Sequence, residues 1–167
     1  MSIARPILFV SCRSAIILLC VISLCGFTLT DDNTRVRNGN ELVLQGTRVR
    51  LLGIDAPQIS QRCRDANDRN YWCGKAAKVY LEGLVAGRIV SCDVQYSDVD
   101  GRPVATCSAE GADIGEAMVR AGHALRHVRS SSAAYADAEA EARRERRGLW
   151  QGKFQRPTIL RWFSAGR

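Results

Sequence analysis

The chain has 167 residues, of which 46% are hydrophobic and 25% are charged. That is the composition of an ordinary globular protein, and it excludes a disordered or fibrous chain. The formal net charge of +7 suits nucleic acid, anionic polysaccharide or a membrane surface as a partner, but a basic charge also serves solubility alone. Charge therefore does not choose a function.

The first thirty residues differ from the rest. Arg5 and Arg13 precede residues 14–30, a run without any charged residue. A basic start followed by a short apolar run is typical of a secretory signal peptide. Because the run is shorter than the ~20 residues of a spanning helix, a retained membrane anchor is the second interpretation. We predict a protein exported to the periplasm or beyond, with membrane contact only through residues 1–30, one domain at 31–152 and a tail at 153–167.

Cysteine usage agrees with export. Three of the seven cysteines lie in the predicted leader, which leaves Cys63, Cys73, Cys92 and Cys107. An even number in an exported chain predicts two disulfides, with three possible connectivities. We favour Cys63–Cys73, which closes a polar loop, and Cys92–Cys107, which joins two neighbouring strands. A zinc site is the alternative, but the spacing is never CxxC and no histidine is near.

The domain is predicted to begin with strands and to continue with helices and strands mixed. Strands are predicted at 36–37, 41–44, 47–54, 88–96 and 104–109, and helices at 74–85, 113–122 and 133–147. Asn38-Gly39-Asn40 is a turn, Asp113 opens the second helix as an N-cap, and residues 130–132 cap the third. The order predicts an α+β fold, a five-stranded Greek-key barrel with three helices packed outside.

The stretch TRVRLLGIDAPQ at 47–58 concentrates the polar chemistry. Arg50 lies inside an apolar strand, where a charge needs a partner or an anionic ligand. Pro57 ends the strand and leaves Asp55 at its exit. An unbroken strand would put Arg50 and Asp55 on opposite faces, but a bend at Gly53 brings them to one site. The alternative interpretation is a structural Arg–Asp pair.

Most other distinctive residues are interpreted as structural. Tyr71 and Trp72 flank Cys73, and we interpret them as packing on its disulfide rather than stacking on a base. The pair His123 and His127 has a metal-like spacing, but Gly122 ends the helix before them. The C-terminal aromatic residues are predicted to fold the tail back over the barrel, namely Trp150, Phe154, Trp162 and Phe163.

Four segments in order, VRNGNELVLQGTRVRLLGIDAPQ, DVDGR, GEAMVRAGHA and RRGLW, resemble the thermonuclease (staphylococcal nuclease-like) family over residues 36–150. The resemblance implies an OB-fold barrel and calcium-dependent phosphodiester hydrolysis of DNA and RNA. We expect a monomer. The cysteine-bearing loop and strand pair further resemble exported members from alpha-proteobacteria, some of them labelled succinoglycan biosynthesis proteins.

Carried over by this resemblance, Arg50 and Arg102 match the phosphate-binding arginines. Asp55 matches a metal-binding aspartate, and the backbone carbonyl of Ala56 matches a further ligand. The other acidic positions differ: the family's two turn aspartates are Asn38 and Asn40 here, its threonine is Glu41, its closing glutamate is Gln58, and its aromatic residue before the Gly-Arg turn is Asp100.

These departures weaken the predicted catalysis. Calcium affinity follows the number of charged oxygens, and Asn40 removes one of them, so calcium binding is expected to be weak or absent. Gln58 cannot accept a proton, which removes the general base. Alternation places Glu41 away from the site. We expect a net positive pocket that binds nucleic acid or another phosphorylated or acidic ligand with little or no hydrolysis.

Two alternatives stay open at this point. One is a weak calcium-dependent endonuclease that uses Asp55, Glu41, Arg50 and Arg102. The other is a non-catalytic protein of the cell envelope or of exopolysaccharide assembly, with no ligand in the pocket.

Overall fold

The computed structural model describes residues 28–156. The predicted leader lies outside this range except for its last three residues, and so does the tail beyond residue 156, with Trp162 and Phe163. Within the range, no helix is both long and apolar enough to cross a membrane.

Eleven strands, three α-helices and a final 3₁₀ turn follow one another in the described range. The strands are β1 Thr28–Asp31, β2 Arg35–Asn38, β3 Glu41–Leu44, β4 Thr47–Leu51, β5 Ile54–Asp55, β6 Cys63–Arg64, β7 Asn70–Tyr71, β8 Val90–Ser97, β9 Pro103–Ala109, β10 Ala112–Asp113 and β11 Leu125–Arg126. The helices are α1 Cys73–Val85, α2 Ile114–Arg120 and α3 Ala133–Arg144, and the 3₁₀ turn is Gly148–Gln151.

The main sheet is mixed and runs in the order β1-β8-β9-β4-β3-β2, with β10 added beside β9. The β4–β9 pair is parallel, and the other pairs are antiparallel. The sheet path begins with β1 and ends with β2, which are consecutive in the chain. The segment 28–38 therefore links the two ends of the curled sheet, and the three predicted helices are all present.

The core fills the inside of this curled sheet. Val49 and Leu51 of β4 are buried, whereas Arg48 and Arg50 alternate with them on the outer face. On α1 the buried residues recur every fourth position, at Cys73, Ala77, Leu81 and Val85, so one stripe of the helix packs on the sheet. Strand β4 thus buries its aliphatic residues and presents its arginines outward.

Several local predictions are confirmed. The side chain of Asp113 accepts a hydrogen bond from the Glu116 amide, and that of Ser132 accepts one from Tyr135. Both predicted disulfides are present. Cys92 and Cys107 face each other on β8 and β9 and are buried, whereas Cys63–Cys73 ties the hairpin β6–β7 to the start of α1.

Some element boundaries differ from the prediction. Helix α3 ends at Arg144 instead of residue 147, because the chain turns there through Arg146, whose φ is 53°. This turn delivers Leu149, whose amide donates to the carbonyl of Gly122 over 2.9 Å. The polar loop 58–72 contains the short hairpin β6–β7, and β1 begins inside the predicted leader.

Candidate functional site

The site is organised around a break in the strand that carries Arg50. Strand β4 ends at Leu51, and Gly53 has a φ of 75°, a conformation that favours glycine. The chain then pairs Asp55 with Leu125 of β11. The predicted bend at Gly53 is therefore present. It brings Arg50 Nη2 to 4.0 Å from Asp55 Oδ1, with each side chain about a quarter exposed.

The Asn38-Gly39-Asn40 turn packs beside this pair. Asn38 Oδ1 accepts a hydrogen bond from the Asn40 amide over 3.0 Å, and the Asn40 carbonyl accepts one from Leu51 over 2.9 Å. A Cβ atom on Gly39 would lie 2.8 Å from that of Ala56. Only glycine allows this close approach, which brings Asn40 and Ala56 beside Asp55. We call these residues, together with Arg50 and Gln58, the corner.

Gln58 is exposed, but its backbone is held tightly. Its carbonyl accepts a hydrogen bond from the Gln61 amide over 2.8 Å. A Cβ atom on Gly74 would lie 1.7 Å from that same carbonyl oxygen. The first turn of α1 therefore packs directly against the chain at Gln58, which fixes this position relative to the helix.

Arg102 lies within ion-pair distance of three carboxylates. Its Nε lies 2.9 Å from Asp98 Oδ2, and its Nη2 lies 2.6 Å from Asp100 Oδ2. Its Nη1 lies 3.6 Å from Glu41 Oε2. Partial burial raises the pKa of Asp98, but hydrogen bonds from the Arg102 side chain and from the amides of Arg102 and Asp100 outweigh it and hold that pKa below its ordinary value.

Glu41 is the centre of a second set of ion pairs. Its side chain is only 6% exposed and contacts Arg48, Arg37 and Arg102. The hydrogen bond and charge of Glu41 raise the pKa of Arg48. Glu41 lies directly opposite Arg50 in the β3–β4 register, and residues opposite each other in an antiparallel pair share a face. The expectation that Glu41 lies away from the site is therefore wrong, because cross-strand register decides which side chains meet.

The two predicted phosphate-binding arginines lie on this shared face. Arg50 is opposite Glu41, and Arg102 contacts the carboxylate of Glu41. The ion pairs that surround them join four arginines to four carboxylates, namely Arg37, Arg48, Arg50 and Arg102 with Glu41, Asp55, Asp98 and Asp100. The prediction of a net positive pocket is wrong, because it counted Asp55 as the sole carboxylate.

The donor set fits calcium poorly. Calcium takes six to eight oxygen ligands, and carboxylates supply most of its affinity. The corner offers the carboxylate of Asp55, the amide of Asn40 and the backbone carbonyl of Ala56, while Glu41 is engaged by arginines. Among the described residues, no group of three histidine, cysteine or acidic side chains is placed to hold a metal ion.

The remaining candidates divide between core and surface. His123 stacks on Tyr80 at 4.5 Å between ring centroids, and burial lowers the pKa of His123. Tyr71 packs on the cluster that contains the Cys63–Cys73 disulfide, as predicted. Trp72 does not, because it is the N-cap of α1 and remains 40% exposed.

Sequence reasoning missed several residues of the arginine network and of the Trp72 surface. Arg37 and Arg48 were not predicted to belong to the site. Arg48 and Arg50 are two residues apart on one strand, and such residues point to the same face. Arg62 and Lys75 lie over the Trp72 ring, at 4.2 Å and 5.0 Å from its centroid. A basic residue ten positions before Trp72 gives no periodic pattern, so only the folded hairpin brings it there.

Comparison with known proteins relates this fold to a family. Residues 48–152 match the model of the family described as staphylococcal nuclease homologue. A "Succinoglycan biosynthesis protein ExoI" of Rhizobium meliloti is 32% identical over 120 residues, which are 71% of this chain and 63% of that protein.

Two eukaryotic proteins are similar at the same level. "Probable endonuclease LCL3" of Arthroderma otae is 31% identical over 68% of this chain and 44% of its own length. "Probable staphylococcal-like nuclease CAN2" of Oryza sativa subsp. japonica is 31% identical over 66% of this chain and 28% of its own length. The chain thus spans less than two thirds of each relative. The family match, together with the curled mixed sheet and its three helices, shows that this chain belongs to the staphylococcal nuclease homologue family and has its OB-fold.

Proposed function

We propose that this chain is an exported nuclease-family domain that binds nucleic acid, or another phosphorylated or acidic ligand, with little or no hydrolysis. The observation that carries the proposal is the composition of the corner around Arg50. One carboxylate, that of Asp55, lies within ion-pair distance of Arg50, while Asn40 and Gln58 are amides where the family has acids.

Arg50 is the better candidate for an anionic ligand. Its contact with Asp55 is long, at 4.0 Å, and its side chain is 27% exposed. Arg102 donates hydrogen bonds to two carboxylates, lies 3.6 Å from a third and is 17% exposed. A guanidinium binds phosphate through charge-assisted hydrogen bonds, and these need free N–H groups. We therefore assign the main anion contact to Arg50 and a supporting electrostatic role to Arg102.

The same corner supports the loss of hydrolysis. Gln58 has no basic oxygen to take a proton from water, and the loss of a general base typically lowers a rate by about 10²–10⁴-fold. The amide oxygen of Asn40 supplies no charge to a cation. Glu41 adds a carboxylate on the right face, but its arginine partners neutralise it.

Export is part of the proposal. It rests on the basic and apolar start of the chain. It also rests on the two disulfides, because disulfides persist in oxidising compartments.

Weak hydrolysis of DNA or RNA is the second candidate function. It is favoured by the retained Asp55 and Arg50 and by the names of two relatives, an endonuclease and a nuclease. The name of the Rhizobium meliloti relative, a succinoglycan biosynthesis protein, favours instead a role in polysaccharide biosynthesis.

The experiment compares cleavage and binding on the full-length chain. Single-stranded DNA is incubated with the protein in calcium and in chelator, and binding is measured by fluorescence anisotropy of a labelled oligonucleotide. We expect binding without chelator-sensitive cleavage. Arg50→Ala should weaken binding at least about tenfold, the effect of losing a charge-assisted hydrogen bond. Arg88→Ala is the matched control, since Arg88 pairs with exposed Glu110 instead. Chelator-sensitive turnover, or binding that survives Arg50→Ala, contradicts the proposal.

A further inference from the structure

An exposed indole lies at the point where the disulfide-closed hairpin meets α1. Trp72 follows β7 directly and is the N-cap of α1, without a side-chain capping hydrogen bond. Its side chain remains 40% exposed, although its neighbour Tyr71 packs on the disulfide cluster. The Cys63–Cys73 bond holds the hairpin against the helix and so fixes where Trp72 projects.

Two cations accompany this indole. Arg62 Cζ lies 4.2 Å and Lys75 Nζ 5.0 Å from the ring centroid, which is cation–π distance. Across residues 28–156, neither Arg62 nor Lys75 has a carboxylate in ion-pair distance. The neighbouring loop arginines differ, because Arg64 and Arg69 pair with acids of their own loop, Asp68 and Asp65. Within this range, no carboxylate therefore compensates the charge at Trp72.

A half-open hollow of about 260 Å³ lies beside the indole. Arg62 and Trp72 line it together with Asn70 and Tyr71. An amide such as Asn70 offers both a donor and an acceptor, which is what the edge of a nucleobase requires. The first turn of α1 contains no acidic residue, so the partial positive charge of the helix start adds to that of Arg62 and Lys75.

This surface adjoins the segment of the chain that follows Asp55. Gly74 stands two residues after Trp72, and its backbone packs against the carbonyl of Gln58. Gln58 in turn follows Asp55, the partner of Arg50, by three residues. A chain-like ligand with a phosphate at Arg50 would therefore pass Gln58 and reach Trp72.

We propose that Trp72, Arg62 and Lys75 form a base-stacking subsite for single-stranded nucleic acid, with Asn70 contacting the base edge. The proposal deepens the proposed function and rests on it. A base stacks on the open part of the indole or on the guanidinium plane of Arg62, and the flanking phosphates contact the two cations. An unpaired strand is specified because a base in a duplex cannot present its face.

The test compares two oligonucleotides on the full-length protein. One is a short single strand of thymidines, and the other has the same phosphates but abasic residues. For the thymidine strand, Trp72→Ala should weaken binding by roughly five- to 160-fold, the range measured for base–aromatic stacking, and Trp72→Phe should retain most of the affinity. For the abasic strand, Trp72→Ala should change little.

The contribution of Arg62 and Lys75 is measured separately, through the salt dependence of Kd. Arg62→Gln and Lys75→Gln should each lower the dependence of log Kd on log salt by about 0.7, as expected for one phosphate contact on a single strand. Arg69→Gln is the matched control, because Arg69 already pairs with Asp65 and should leave that dependence unchanged.

The outcomes separate this proposal from the proposed function. If Arg50→Ala weakens thymidine binding but Trp72→Ala does not, the subsite is wrong and the proposed function stands. If the parent protein binds neither strand nor polygalacturonate, both are wrong. If polygalacturonate binds more tightly than the thymidine strand and needs Trp72, the ligand is an acidic polysaccharide and the nucleic-acid assignment is overturned.

Discussion

Glu41 and Arg50 lie directly opposite each other on β3 and β4, and the carboxylate of Glu41 also contacts Arg102 at 3.6 Å. One buried acid therefore stands between the two arginines that the resemblance assigns to phosphate binding. In this position Glu41 competes with any incoming anion, because it already neutralises part of the charge that would attract one.

Glu41→Gln should strengthen oligonucleotide binding. The substitution keeps the side-chain volume but removes the negative charge beside Arg102. We expect Kd to fall about two- to fivefold, which corresponds to one ion pair near a surface. Glu110→Gln is the control, because it removes the same charge from an exposed residue that pairs with Arg88 alone. Anisotropy titrations measure both, and equal effects in the two variants would mean that net charge alone is responsible.

The double change Asn40→Asp and Gln58→Glu should produce calcium-dependent cleavage of single-stranded DNA. It restores one charged oxygen beside Asp55 and a proton acceptor at the corner. Relative to the parent, a gain of about 10²–10⁴-fold is expected if the general base is the main deficit. Each single variant serves as a control and should gain far less. A folded double variant without any turnover would show that the arginine–carboxylate network, rather than the two amides, blocks catalysis.

Two glycines of α1 should respond oppositely to alanine. Gly74→Ala places a methyl group 1.7 Å from the Gln58 carbonyl oxygen, and overpacking of this kind costs about 1–3 kcal/mol. Gly83 has open space around the position of its Cβ, so Gly83→Ala should raise the free energy of unfolding by about 0.5–1 kcal/mol through helix propensity. Urea denaturation of both variants checks the contrast. A Gly74→Ala variant as stable as the parent would contradict the close packing at Gln58.

Both disulfides should contribute to stability, but only one of them should affect binding. Replacing both cysteines of either pair with alanine should lower the free energy of unfolding by about 2–4 kcal/mol. Loss of Cys63–Cys73 should also weaken binding to the thymidine strand, because that bond positions Trp72. Loss of the buried Cys92–Cys107 bond should leave the affinity of the folded protein unchanged. Denaturation and anisotropy on the same samples measure both quantities.

Stability should fall in acid, in part through Asp98. Hydrogen bonds from Arg102 outweigh partial burial and hold the pKa of Asp98 below 3.8 in the folded protein. A lowered pKa stabilises the fold above the unfolded pKa, and this stabilisation is lost as the pH falls through the folded pKa. The free energy of unfolding should therefore drop below about pH 4, and Asp98→Asn should flatten the drop. Asp137→Asn, an exposed helix position, is the control and should leave the pH profile unchanged.

Local chemistry predicted much of this fold. The Asn38-Gly39-Asn40 turn, the bend at Gly53 and the cap at Asp113 each follow from one or two residues whose conformational preference is strong. The disulfides followed from loop closure and strand adjacency. The order of strands and helices predicted the barrel, and the family resemblance supplied the roles of the site residues.

The charge balance of the site was beyond such reasoning. Glu41, Asp98 and Asp100 reach Arg102 from a different strand and from a turn, and sequence spacing does not say which of them meet. The exposure of Trp72 was missed for the same reason, because the choice between Tyr71 and Trp72 for the disulfide depends on the direction of the chain entering α1. Contacts between distant segments decided both points.

The strand β1 carries a consequence for maturation. Thr28 to Asp31 pair with Val90–Asp93 of β8, so the last three residues of the predicted leader also complete the sheet. A peptidase cut after residue 30 would leave Asp31 as the last remnant of that edge and expose the backbone of β8. If the predicted leader is removed, we expect a cut that preserves the domain to lie upstream of Thr28, and a shortened recombinant version should start there or earlier.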